Sequence, residues 1–276
     1  QVGDLVEALL EAGMTIGQLL VDAVEAGVTV FKKFVKALIE VGKTVLDVLK
    51  VVVEEAIGVV ADTLRALMEI GRTLGQLLVD AARLAVAAMG RVLEALRSIG
   101  QSVLQILRAA AQAVASVMRA TIEAFLNLGR TLTSLIRDVI TGELSITEAF
   151  VRALRAMGRS VRDVLDAARD AATKAVRDIT RALSRIGAEL RDLVDWAADA
   201  AANFARQVIQ ALVSIGTTVV NLATTAAARA LKVMRTVIDG LYAAGRTFVQ
   251  LLRELADIAG DLLEKFLEAA FALGAT

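Results

Sequence analysis

The sequence predicts an all-α protein of tandem 29-residue helical repeats, and three observations carry that prediction. Glycines recur at Gly13, Gly42, Gly71, Gly100, Gly129, Gly158, Gly187, Gly216, Gly245 and Gly274, every interval being 29 residues with no insertion or deletion. Glycine in one unbroken register is the mark of a repeat array. Two places after the glycine stands a hydroxyl residue, Thr15, Thr44, Thr73, Ser102, Thr131, Ser160, Thr218 or Thr247, with Glu189 as the exception. Between the glycines apolar residues keep helical spacing, and the chain has no proline to break it.

The glycine and its followers read as a helix–helix corner. A helix ends before the glycine, which adopts the left-handed conformation that closes a helix C-terminus. The hydroxyl residue then caps the next helix. Three places further on stands Gln18, Asp47, Gln76, Gln105, Ser134, Asp163, Asp192, Asn221 or Gln250, and the Gln or Asp there resembles the second half of a capping box. A phosphate-cradling reading of "GRTLG" fails, because Gly75 is not repeated and no strand or loop lysine accompanies it.

With the glycine as position zero, apolar residues favour positions 3, 6, 7, 10, 14, 17, 18, 21, 22, 25 and 28. At 100° per residue they form one arc about half the circumference wide, with polar positions opposite. The phase stays coherent through the middle, which favours one helix of about 26 residues and roughly 39 Å. The stretch Val161 to Ile186 contains no breaker at all. Two short helices per repeat are the alternative. "VITGELSITEAF" points that way, with an interruption at Gly142 and a second capping box from Ser145 and Glu148, and Gly27, Gly58, Gly90 and Gly260 fall in comparable middle zones. The expected architecture is a two-layer antiparallel array or an α-solenoid. Residues 1–276 form a single continuous array with boundaries near the registered glycines. Its ends cut into the pattern, which suggests a segment of a longer protein. Ala37, Ala66, Ala95, Ala124, Ala153, Ala182 and Ala211 share position 24, where Gly240 stands in the next repeat. A close backbone approach is expected there, and Met89, Met118 and Met234 read as core filler.

Composition narrows the chemistry. The charges balance at 31 basic and 31 acidic residues, so net charge steers the chain toward neither polyanion nor membrane. With no His and no Cys, imidazole bases, thiolate chemistry and Cys/His zinc sites are excluded. The uncharged stretch Gln207 to Ala228 is the one segment long enough for a membrane span, but Gly216 and several polar residues count against it. Glu54 and Glu55 are adjacent and point about 100° apart, a poor acid–base pair. Asp192, Asp195 and Asp199 share a helix face, but Arg191 and Arg206 flank them. No enzymatic activity, metal or cofactor is expected.

The candidate interaction residues are Trp196, Tyr242, Arg159, Arg162 and Asp166. The last three belong to the most charged repeat, whose opposite charges at helix spacing also suit a solvated, ion-paired face. Trp196 occupies position 9, where sister repeats carry mostly polar or small residues, so an exposed indole is expected. Tyr242 stands at position 26, which accepts arginine elsewhere. Arg152, Arg155, Arg159 and Arg162 approach a basic stripe, but Asp163 and Asp166 interrupt it, so nucleic acid is not expected. The expected function is structural: a scaffold, spacer or self-assembling, filament-building element whose partners are further copies of itself or neighbouring repeats. The alternative is a protein-binding helical module. A membrane-associated amphipathic array is less favoured.

Overall fold

The computed structural model describes residues 1–141, 143–257 and 260–274. Among them the chain is all-α, with 19 helices and no strand. It divides into two compact units, Gln1–Thr131 and Leu132–Thr276. The first holds α1 (Val2–Glu11), α2 (Ile16–Glu25), α3 (Val28–Glu40), α4 (Val45–Val52), α5 (Ile57–Glu69), α6 (Leu74–Ala82), α7 (Val86–Ser98), α8 (Val103–Gln112) and α9 (Ala115–Asn127). The second holds α10 (Leu132–Val139), α11 (Leu144–Ala156), α12 (Val161–Ala171), α13 (Thr173–Arg185), α14 (Leu190–Asp199), α15 (Ala202–Ser214), α16 (Val219–Ala227), α17 (Leu231–Ala243), α18 (Phe248–Leu255) and α19 (Gly260–Ala272).

The registered corner forms as local chemistry dictates. At Gly71 φ is +94°, a region that only a residue without Cβ enters freely. The Gly71 N–H donates to the Met68 carbonyl at 3.1 Å and the Arg72 N–H to the Leu67 carbonyl at 3.0 Å, closing α5. Thr73 is extended, and its Oγ1 accepts from the Gln76 N–H at 3.2 Å. The Thr73 N–H donates in return to Gln76 Oε1 at 3.0 Å, which opens α6. Full boxes also form at Thr15, Thr44, Ser102, Ser160 and Thr247. Thr218 accepts from Asn221 alone, and Glu189 gives no side-chain cap.

The single long helix per period is not what forms. From Gly13 to Gly245 each registered corner is followed by a short helix and then a 13-residue helix. Even Val161 to Ile186 divides, with Ala172 fully extended (φ −176°, ψ 160°) between α12 and α13. Tertiary packing overrides local propensity here. α12 folds back to pack on α13, so both arms bury apolar faces that a straight rod would leave half-covered. The second box expected from Ser145 and Glu148 is also absent: Glu143 occupies the N-cap of α11 without a side-chain bond, and Glu148 pairs with Arg185 at 3.2 Å instead. Gly142 lies outside the described residues. Of the other middle glycines, Gly27 takes a positive φ, Gly58 and Gly90 sit inside α5 and α7, and Gly260 starts α19. The uncharged stretch from Gln207 to Ala228 is split by the Gly216 corner into the end of α15 and all of α16. No helix among the described residues is long and apolar enough to cross a membrane.

Within the first unit α3, α5 and α7 each pack on the long helices before and after them, and α2, α4, α6 and α8 pack in sequence beside that row. The second unit repeats this arrangement with α11, α13, α15, α17 and α19 in one row and α10, α12, α14, α16 and α18 in the other. Phe31, Phe150 and Phe266 are fully buried, as are Met89, Met118 and Met234. The alanines of position 24 are buried wherever a long helix precedes them. Thr63, Thr121 and Thr180 are buried too, and each hydroxyl donates to the carbonyl four residues earlier. That bond meets the cost of taking a hydroxyl out of water.

Candidate functional site

The largest concentration of charge lies in the second unit, where α12, α14, α16 and α17 meet. A groove of about 300 Å³ runs between α12 and α14, lined by Arg155, Ser160, Val161, Arg162, Asp192, Asp195 and Trp196. A neighbouring groove of about 430 Å³ continues past Asp199, Arg229 and Lys232. Three of the sequence-nominated residues, Trp196, Arg162 and Asp166, come together here. Arg159 is exposed at the Gly158 corner, where its carbonyl accepts from Arg155 Nη1 at 2.8 Å. Tyr242 stands apart on α17. It is half-buried, and its hydroxyl has no hydrogen-bond partner among the described residues.

The indole is not exposed. Trp196 is 3% accessible, and its Nε1–H donates to Asp166 Oδ1 at 3.0 Å. Around Trp196 position 9 is a seam between neighbouring short helices rather than a solvent face. Val51, Asp80, Ala109 and Ala167 are half-buried there, whereas Asp22 and Glu254 at the same position are exposed. Polar sister residues therefore misstate the environment, because a narrow seam holds small or hydrogen-bonded side chains equally well.

Around this indole runs a chain of ion pairs. Asp166 also meets Arg169 at 3.4 Å, and Arg162 lies 4.0 Å from Asp166 and 3.4 Å from Asp199. Asp199 meets Lys232 at 3.4 Å, and Asp195 takes a two-pronged contact from Arg229, with Nε to Oδ1 at 2.8 Å. Asp195 and Asp199 thus face guanidinium and ammonium groups, and among the described residues no acidic cluster is placed to hold a metal ion. The Arg229 hydrogen bond holds the Asp195 carboxyl below its ordinary value, so it stays ionised and is poorly suited to carry a proton. The arrangement is suited to recognising charge and to tying helices together.

Arg229 and Lys232 escaped the sequence reading, although a signal exists. Cross-helix pairs recur at separations of 33 or 37 residues, one 29-residue period plus one or two helical turns. Lys36–Glu69 and Arg206–Asp239 are 33 apart; Lys32–Glu69, Arg185–Glu148 and Arg162–Asp199 are 37 apart. A separation of 33 also gives Lys232–Asp199, whereas Arg229–Asp195 stands at 34 and falls outside the pattern.

The carboxylates predict an acid limb. Hydrogen bonds from Thr44 and Ser160 lower Asp47 and Asp163, the Lys36 and Lys32 ammonium groups lower Glu69, and Arg229 lowers Asp195. A depressed folded value means stability that is present above the ordinary values of 3.8 for Asp and 4.5 for Glu and is lost as pH falls through the folded ones. The urea midpoint is expected to hold from neutrality to about pH 5 and to fall steadily below it. Asp195→Asn should flatten part of that fall. Burial raises Tyr242 instead, so its contribution is lost as pH climbs above its ordinary value of 10.0. A midpoint unchanged down to pH 3 would show that these pairs do not distinguish folded from unfolded chain.

Compared with models of known protein families and with characterised proteins, the chain matches none.

Proposed function

We propose that the chain is a tandem helical-repeat scaffold or spacer of α-solenoid type, in which each 29-residue period contributes one short and one long helix and the repetition is itself the functional property. One observation carries this reading: a glycine-closed corner stands at a constant interval, most copies carry a hydroxyl cap, and from Gly13 to Gly245 each is followed by a short helix and a 13-residue helix. Repeats of this kind contribute stability through their own folding and through contacts with nearest neighbours, so length can be changed in whole units. Excising residues 71–99 joins Ile70 to Gly100 and recreates the corner. The shortened chain is expected to unfold cooperatively, with unchanged helicity per residue and a urea m-value reduced in proportion to length. Excising 71–85, which removes α6 and its corner alone, should instead leave a poorly folded chain. Equal damage from both deletions would end the scaffold reading.

The charged groove favours a second reading, a protein-binding module. Arg155, Arg162, Asp192 and Asp195 line an open groove on one side of Trp196 and offer both signs of charge to an extended partner.

A further inference from the structure

A further groove opens in the first unit, between α2 and the turn that joins α4 to α5. It encloses about 200 Å³ over an aliphatic floor of Leu20, Val24, Val51, Val52 and Val59, beside which stand Glu25 and Glu55. Val24 is 38% exposed, and Val21 on the rim is 43% exposed. Lys50, Arg108 and Arg137, register mates of Val21 in later periods, are exposed as well, so the openness of this position belongs to the fold.

The same register in the second unit forms the groove past Asp199, and there the chain supplies its own cations. Arg229 Nε donates to Asp195 Oδ1 at 2.8 Å, and Lys232 Nζ lies 3.4 Å from Asp199 Oδ1. Beside α2 that chemistry is inverted. Glu25 is the mate of Asp199, but Gly58 stands at the register of Lys232, and a Cβ there would meet nothing within 4 Å. Glu55 is the mate of Arg229, so a carboxylate replaces the guanidinium. Arg91 donates from Nη2 to the Glu55 backbone carbonyl, not to its carboxylate. The exposed Glu25 and the half-buried Glu55 make no ion pair among the described residues.

From this juxtaposition we infer that the groove binds a basic segment of a partner protein. The segment seats one aliphatic side chain on the valines and brings a lysine or arginine to each of Glu25 and Glu55. Residues 229–233 show the pattern, with Arg229 and Lys232 as the cations and Val233 as the aliphatic wall. A second copy has no free equivalent, because its Arg229 and Lys232 are paired within their own chain. A free amine is the poorer occupant, since small-molecule pockets enclose about 300–1,000 Å³ and this groove is smaller. The inference rests on the repeat reading above, since it compares one register in two periods.

The probe is a fluorescein-labelled peptide of residues 229–237, titrated by anisotropy against the full chain. Saturable binding is expected, weakening with added salt. Glu25→Lys/Glu55→Lys in the chain should weaken it by roughly tenfold or more, and Arg229→Glu/Lys232→Glu in the peptide should restore binding to that variant. Gly58→Lys returns a cation to the vacant register and should weaken the original peptide to a similar degree. No saturable binding, or binding indifferent to these changes, overturns the inference. So does displacement by n-butylammonium as effective as by unlabelled peptide, which would assign the groove to a small amine. A mass that grows in multiples of 29.1 kDa without peptide and returns to monomer on Val24→Asp would seat a second copy there and overturn it too. The excision of residues 71–99 tests the repeat reading without the peptide, so the two proposals fail separately.

Discussion

Truncating Trp196 to alanine should cost about 3–5 kcal/mol, the range for removing a buried aromatic side chain. Two losses combine. The seam between α12 and α14 loses the largest side chain among its register mates, and Asp166 loses the indole N–H it accepts at 3.0 Å. Trp196→Phe separates them, because the ring body remains while the donor goes. Its expected cost is about 1.5 kcal/mol, at the low end for a hydrogen bond to a charged group, since Asp166 keeps access to water and to Arg169. Urea unfolding followed by circular dichroism measures both variants without relying on the single tryptophan. A loss below about 1 kcal/mol for the alanine variant would mean that the seam collapses around the gap, as sites able to relax do.

Gly240→Ala is expected to destabilise, although alanine is the better helix former by about 1 kcal/mol. The new Cβ would lie 2.4, 2.6 and 2.7 Å from Cβ, Cγ1 and Cγ2 of Ile209, distances that a branched side chain cannot yield without backbone movement. Overpacking of this kind costs about 1–3 kcal/mol and exceeds the propensity gain. Gly90→Ala is the matched control. It also lies inside a long helix, but its nearest contact would be Leu128 at 3.8 Å, so propensity should prevail and the variant should gain up to about 1 kcal/mol. If both substitutions stabilised, the close approach of α17 to α15 would not exist.

The two glycines also show why some of the fold was legible and some was not. Position 24 could be read as a close approach because nine alanines, from Ala8 to Ala269, and one glycine share it, and only contact keeps a column that small. The long helix was misread because burial passes through the break without losing step. Ala168 and Ala175 are both buried on either side of Ala172, seven residues apart, the spacing of two helical turns. Periodicity therefore cannot distinguish a continuous helix from two helices whose turn preserves the phase. Trp196 failed for a related reason. Its column was judged by the residue types of its sisters, whereas its burial depends on α12, which packs beside it from the preceding period.

What the sequence determined by itself is whatever seven or eight consecutive residues can settle: helix C-terminus, left-handed glycine, hydroxyl cap and the first turn of the next helix. Those bonds lie within one short segment, so their chemistry is complete in the local string. The all-α class and the 29-residue interval follow from repeating that segment. The tertiary structure alone decided where each period bends a second time, which seam takes the indole, and which aspartate meets which arginine. These depend on side chains one period and one or two turns apart, and the free energy that selects them comes from burying faces against neighbouring helices, a quantity that no local window contains.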